Sequence, residues 1–336
     1  MKRRDGTVGL VEIARIAGVS PATVSRALSG SPVVAAGTRQ RIQQLAREHG
    51  FRLNQTASAL RRRRTQAIGV VIPLGHEAEQ NLSDPFFMGL IGPLADALAA
   101  ADYDLFLSRV IPADGEWLCD LVESGRVDGT IVIGQSDQVD VIEEMARRYR
   151  PMVVWGARVP GGAQVTVGTD NVLGGRLAAE HLLARGRRRL AFLGNPEVPE
   201  FAARCRGFRE AAEASGADAT VTVLPVHLTT VESYQEVAAF LADHPPLDGI
   251  AAASDVIAMS ALRALAEGGL RVPDDVSVVG YDDVVVAQHT TPPLTTVRQD
   301  VAHGARLLVE LLLKRLAGEP VESVEMTPEL IVRASS

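Results

Sequence analysis

Apolar residues recur every three or four positions at the start of this chain, then give way to short continuous runs. In residues 11–28, VEIARIAGVSPATVSRAL, Ile13, Ala14 and Ala17 form one stripe at helical spacing, and Val24 and Leu28 form a second. Gly18 permits the left-handed backbone of a sharp turn, and Val19 can plug the junction. Ser20 is a good N-cap, and Pro21 suits the first helical position, where its missing N–H costs nothing. The pattern predicts a helix-turn-helix whose second helix spans 20–28, with Ala22, Ser25 and Arg26 outward. A third helix is predicted over 38–49, with Ile42, Leu45, Ala46 and His49 on one face and Gly50 ending it. Residues 54–60 form a short helix-capable stretch capped by Asn54, which runs into Arg61, Arg62, Arg63 and Arg64.

From Ala67 onward, short β-branched runs alternate with longer helical patterns. Strands are predicted at 68–72, 103–107, 130–133, 152–155, 190–193, 249–253 and 276–280. Helices are predicted at 87–101, 172–185, 202–215, 256–268 and 301–317. Continuous apolar strands between helices indicate parallel sheets in βαβ units. The fold class is therefore α/β, and 336 residues exceed what one core usually serves. Two doubly wound sheets are expected beside the helical head.

Charge separates the two textures. Residues 1–64 hold 13 basic side chains against three acidic ones, so the net −7 of the chain leaves about −17 on the other 272 residues. A basic head on an acidic body suggests that only the head meets a polyanion. Cys119 and Cys205 are isolated, which fits buried residues in a reducing compartment better than a disulfide framework. No apolar segment follows the basic N-terminus and no 18-residue apolar stretch occurs, so a cytoplasmic chain with no membrane partner is expected. The glycine-rich stretches match neither a phosphate loop nor a dinucleotide fingerprint, no GxSxG elbow is present, and the seven histidines lack metal-ligand spacing. No catalytic residues, cofactor or metal are expected.

The chain resembles bacterial transcription regulators of the lactose-repressor (galactose/purine-repressor) family. The head carries AGVSPATVSRAL and TRQRI; the body carries DPFF at 84–87, GTDNVLGG at 168–175, HLLARGRRRLAFLG at 181–194 and RCRGF at 204–208. ASD at 253–255, RVPDDVSVVGYDD at 271–283 and PPLTTVRQD at 292–300 complete the series in the family's order. The resemblance implies a head at 1–53, a hinge helix and basic linker at 54–65, and a core at 66–336 like that of periplasmic sugar-binding proteins. It implies an N-subdomain of about 66–165 and 293–321 and a C-subdomain of about 166–290 and 324–333, with crossings near 165–168, 290–294 and 321–326. The family's tetramer-forming extension has no counterpart after Arg333, so a homodimer is expected.

The resemblance also implies roles for single residues. Arg26 is expected to pair with O6 and N7 of guanine, as a guanidinium can in the major groove. Pro21 and Ala22 stand where the family chooses operators, Thr23 and Ser25 would hold phosphates and fix register, and Ser20 at the helix start is counted with them among the DNA-binding residues. Leu60 corresponds to the leucine wedged into the minor groove, with Asn54 opening that hinge helix and Ala57 letting two such helices approach. Gly9 and Leu53 depart from the family's usual Thr and Pro. For an effector, Phe86 and Phe87 would give an apolar face, Arg204 a fork of donors and Asp282 an acceptor. Ser254, Asp255, Asp84, Gln135 and Trp155 are further candidates, and Leu228 stands where sugar-responsive members often carry an aromatic. The implied function is a repressor that binds a pseudo-palindromic operator in double-stranded DNA and is released by a small ligand, most naturally a sugar. Two other readings stay open: a constitutive DNA-binding regulator with a vestigial cleft, and a carbohydrate-active enzyme with a DNA-binding head.

Overall fold

Contacts divide the chain into two units, Met1–Thr65 and Gln66–Ser336. The structure, a computed structural model, describes residues 9–29, 31–51, 64–74, 80–243 and 247–336. In the first unit, α1 (Leu10–Ala17), α2 (Pro21–Leu28) and α3 (Ala36–Glu48) pack around buried Ile13, Ala17, Val24, Ala27, Val34 and Ile42. Gly18, at φ +66°, closes α1 by donating its N–H to the carbonyls of Ala14 and Arg15. The Ser20 hydroxyl accepts the Thr23 N–H at 3.1 Å and so starts α2. Gly9 opens α1 with no side-chain cap. Arg41 donates to the Ala17 carbonyl, so one of the head's cations ties α3 to the end of α1. Asn54, Ala57 and Leu60 lie outside the described residues.

The second unit holds two six-stranded sheets. The first has the order β11-β5-β4-β3-β1-β2, built from β1 (Ala67–Pro73), β2 (Asp104–Val110), β3 (Gly129–Ile133), β4 (Met152–Trp155), β5 (Thr166–Thr169) and β11 (Val324–Met326). The second has the order β12-β10-β9-β8-β6-β7, built from β6 (Arg189–Leu193), β7 (Thr220–Leu224), β8 (Gly249–Ala252), β9 (Ser277–Asp282), β10 (Thr295–Arg298) and β12 (Glu329–Ile331). Every pairing is parallel except β10 with β12. The continuous apolar runs follow from burial on both faces. In β1, Ile68, Val70 and Ile72 join the core under α4 (Pro85–Ala100) and α11 (Val301–Leu316). Val71 points the other way, to α5 (Trp117–Glu123) and α6 (Val139–Arg148). The helices α7 (Asn171–Ala184), α8 (Pro199–Ala214), α9 (Thr230–Asp243) and α10 (Asp255–Glu267) cover the second sheet.

The chain passes between the sheets after β5, between β10 and α11, and between β11 and β12. Each crossing falls later than the sequence suggests. Residues 166–169 and 324–326 complete the first sheet, through Val154 with Thr166 and Val324 with Val167. Residues 295–298 belong to the second sheet, through Thr296 with Gly280. The reason is the backbone itself: a strand stays in its sheet until its N–H and C=O groups are paired. The five predicted helices are present as α4, α7, α8, α10 and α11, while β5, β7, β10, β11, β12, α5, α6 and α9 were not anticipated.

Two glycines set how α7 meets α8. A Cβ on Gly175 would lie 1.9 Å from the Arg204 carbonyl oxygen, and one on Gly207 would lie 1.9 Å from that of Val172. The helices therefore approach backbone to backbone, which presents the Arg204 side chain at the sheet's edge. Among the described residues, no helix is long and apolar enough to cross a membrane. Gly175→Ala is expected to destabilise the second unit by about 1–3 kcal/mol or more, because backbone rather than a flexible side chain would have to move. Gly89→Ala, on α4 with nothing within 4 Å, should be neutral or stabilising by about 0.5–1 kcal/mol. Urea titrations of the two variants that gave equal midpoints would refute the close-approach account.

Candidate effector cleft and DNA-reading helix

On α2, the buried side is Val24 and Ala27, which leaves Pro21, Ala22 and Arg26 exposed and Thr23 and Ser25 half-exposed. The Ser20 and Thr23 hydroxyls lie 2.9 Å apart, so each already has a partner at the helix start. The exposed strip thus offers one long donor, Arg26, beside two small apolar side chains.

In the second unit a cleft with about 660 Å³ of empty space opens between the sheets, at the carboxyl ends of β1, β3, β4 and β9. Phe86, Phe87 and Trp155 wall it on one side, with ring centroids 5.8 Å and 6.1 Å from Phe86. Glu200, Phe201, Arg204, Leu228, Ser254 and Asp282 face them from the second sheet, and Gln299 enters from the second crossing. The structure therefore brings Phe86, Phe87, Arg204, Ser254 and Asp282 to one cavity, with Asp84 and Trp155.

Arg204 is buried, and two of its five N–H groups are bonded within the protein. Its Nε donates to Asn171 Oδ1 at 2.8 Å, its Nη1 donates to the Ala253 carbonyl, and its guanidinium lies 3.7 Å over the centre of the Tyr281 ring. Asp282 Oδ1 stands 3.9 Å from Nη1, a long ion pair, and accepts a hydrogen bond from Gln299 Nε2 at 2.7 Å. Asp282 holds φ +114°, a region L-residues rarely enter, and the bond from Gln299 is among the contacts that keep its carboxylate at the cavity wall. Burial raises its pKa from the ordinary 3.8 to about 7, against the pull of Arg204 and Gln299 and with the charge of Asp84 adding to the rise. Burial likewise raises Tyr281, to about 12.

Asp255 corrects one expectation. It is fully buried away from the cavity, accepting from the Val284 N–H at 2.8 Å and from Thr296 Oγ1 at 2.6 Å. Both oxygens are spent bracing the turn that follows Asp282, so Asp255 positions rather than contacts. Gln135 Nε2 donates to the Ala157 carbonyl at 2.9 Å and to Gln164 Oε1 at 3.0 Å, while its own Oε1 is buried with no partner. Ser254 lines the cavity while capping α10, accepting the Ile257 N–H at 3.3 Å.

The sequence reading missed Glu200, Gln80, Phe201 and Gln299. Asp84 caps α4 through the Phe86 N–H at 2.9 Å and accepts from Gln80 Nε2 at 3.2 Å. Gln80 Oε1 and Glu200 Oε1 are buried with no hydrogen-bond partner. Burial raises both Asp84 and Glu200. Glu200 was in principle visible, since it sits four residues before Arg204 on one face of α8. At a helix start, however, a glutamate looks like an ordinary partner of the helix dipole. Among the described residues the cavity lining has a surplus of acceptors, and its one cation, Arg204, is partly engaged. Among the described residues no cluster of His, Cys, Asp and Glu could hold a metal ion.

A helix-turn-helix unit joined to two doubly wound sheets around such a cleft defines a ligand-responsive DNA-binding regulator. The chain belongs to the lacI family of bacterial regulatory proteins, whose profile matches residues 9–54, and a periplasmic binding protein-like domain matches 179–336. It is 34% identical to the HTH-type transcriptional regulator CelR of Thermobifida fusca, over 99% of both chains. A solved CelR–cellobiose complex superimposes with a TM-score of 0.70 at 31% identity, covering 98% of this chain and all of that one. The lac repressor dimer bound to operator and the anti-inducer ONPF gives 0.84 at 25% identity, covering 98% of each. These relatives are transcription regulators, not enzymes.

The buried carboxylates predict an inverted pH profile. Asp84, Glu200, Asp255 and Asp282 are all raised, so the folded core binds more protons than the unfolded chain. The stability that Asp282 contributes is complete below its ordinary 3.8 and is lost as pH rises through about 7. Asp275, lowered to about 2 by Arg271, acts in the opposite sense but below this window. Melting temperature should therefore fall between pH 5 and 8, about the Asp282 pKa of 7, with Asp282→Asn flattening the slope. A slope unchanged in that variant would remove Asp282 from the account.

Proposed function

We propose that this regulator is a homodimeric repressor of the cytoplasm. It binds a pseudo-palindromic operator and is released when a hydroxyl-rich ligand, a sugar or sugar derivative, occupies the cleft. One observation carries the ligand class: the buried, unpartnered acceptors Gln80 Oε1 and Glu200 Oε1 in a cavity walled by Phe86, Phe87 and Trp155. Unmet buried acceptors are costly, and a molecule with many O–H donors and an apolar C–H face satisfies them while covering the rings. Asp282 would accept from ligand hydroxyls, and Ser254 would add a hydroxyl of its own. Arg204 would donate through the N–H groups that Asn171 and Ala253 leave over. The cellobiose bound by the related CelR belongs to this chemical class.

At the DNA end, Arg26 would pair with a guanine edge, a contact worth about 1–3 kcal/mol of discrimination. Pro21 and Ala22 would give apolar contact to thymine methyls; Ser20, Thr23 and Ser25 would position the helix on phosphates. The hinge assigned to Asn54, Ala57 and Leu60 would enter the minor groove and kink the duplex. Ligand closing the cleft would bias the two subdomains, and the change in operator affinity is limited by the ligand's preference between the two states.

Two variants separate the two ends. Arg26→Ala is expected to lose base preference in a binding-site selection while keeping salt-sensitive non-specific binding; a preserved consensus would overturn its assignment. Asp282→Ala should keep operator binding but lose release by ligand, and a normal response would remove Asp282 from the effector site. The effector should also bind more tightly at pH 8 than at pH 5.5, because its hydroxyls favour the ionised form of Asp282. Calorimetry showing equal affinities at the two pH values would refute that role.

A further inference from the structure

The cleft does not end at its aromatic wall. A second groove, with about 820 Å³ of empty space, shares Gln80, Asp84 and Leu228 with the inner cavity, so the two are neighbours. The outer groove runs between the segment that leads into α4 and the starts of α9 and α10. Its faces are Pro85, Val231 and Met259, interleaved with the Asn81 amide and the Thr230 hydroxyl. Val231 is 58% exposed, a large apolar side chain set at the mouth of a polar cavity. Alternating apolar patches and neutral hydrogen-bonding groups suit a sugar ring, which has both a C–H face and a hydroxyl rim.

Charge limits the class further. Among the described residues, the charged groups lining the outer groove are Asp84 and Glu232, and the inner cavity adds Glu200, Asp282 and the partly engaged Arg204. Among the described residues the carboxylates lining the two spaces outnumber the one guanidinium, so a phosphate or carboxylate on the ligand would meet net repulsion.

We propose that the effector is a neutral oligosaccharide of at least two units, one seated in the inner cavity and the next in the outer groove beside Pro85, Val231 and Met259. The inference rests on the reading of the cleft as a sugar site. Asp84 and Gln80, common to both spaces, then flank the glycosidic linkage. The two spaces divide the work: the inner one recognises the end unit and the outer one selects chain length.

The test is calorimetry on the full chain with glucose, galactose, mannose and xylose, each beside its di- and trisaccharides and its 6-phosphate or uronic acid. In at least one series the disaccharide should bind tenfold or more tighter than its monosaccharide, with the acidic forms unbound. Val231→Arg, on an exposed side chain outside the inner cavity, should erase that gain and leave monosaccharide affinity within twofold. Val231→Ala should weaken the oligosaccharide by a smaller factor, which separates loss of contact from blockage. A monosaccharide that binds as tightly as its oligomers, or a gain that survives Val231→Arg, overturns the second unit while leaving the inner site intact. A panel in which nothing binds overturns the sugar reading itself, and the oligosaccharide with it.

Discussion

A buried guanidinium is the constraint on which the second sheet's side of the cleft depends. Arg204 has five N–H donors and cannot shed its charge, so burying it requires acceptors at fixed places. Asn171 at the start of α7, the Ala253 carbonyl after β8 and Asp282 at the end of β9 supply them, and the Tyr281 ring covers one face. Gly175 and Gly207 let α7 and α8 come close enough for this to happen. Gly174 serves the same end, since a Cβ there would lie 2.4 Å from the Tyr281 hydroxyl. Four elements thereby meet around one side chain on one wall of the cleft.

What that lock leaves over defines the chemistry. Arg204 keeps N–H groups beyond those bonded to Asn171 and Ala253, and Asp282, Glu200, Asp84 and Gln80 present more acceptor capacity than their neighbours use. Ionised carboxylates in such a place are costly, and burial moves their protonation upward. A ligand rich in hydroxyl donors relieves the cost from both walls at once. The walls belong to different sheets joined by three crossings, and Gln299 sits on the second of them with its amide on Asp282. Relief in the cleft is thus connected by one hydrogen bond to a segment that any relative motion of the sheets must involve.

The head and the long helices were legible because their signals are local. Gly18, Ser20 and Pro21 encode a turn and a helix start within four residues, and α4, α7, α8, α10 and α11 carry enough apolar residues to announce themselves. The short strands were not legible. Thr295–Arg298 and Thr220–Leu224 are threonine-rich, and β11 and β12 have three residues each, so they become strands only through a partner far away in sequence. The three crossings shifted for the same reason. Around the cleft, Arg204 and Asp282 were reached through the family resemblance carried by RCRGF and GYDD. Asp255 was misplaced because its acidity is visible in the sequence but its two internal donors are not. Glu200 escaped because only the fold removes it from water.

The central claim is that the cleft's occupant and operator DNA are read by one equilibrium between two states. Linkage makes that claim symmetric: whatever factor the effector takes from operator affinity, the operator must take from effector affinity. The direct measurement is calorimetric titration of the effector into the full chain, free and saturated with a selected operator duplex. The account predicts that the effector's dissociation constant rises on operator by the same factor as the operator's rises with effector. Equal effector affinity in the two titrations, with operator binding itself intact, would contradict it.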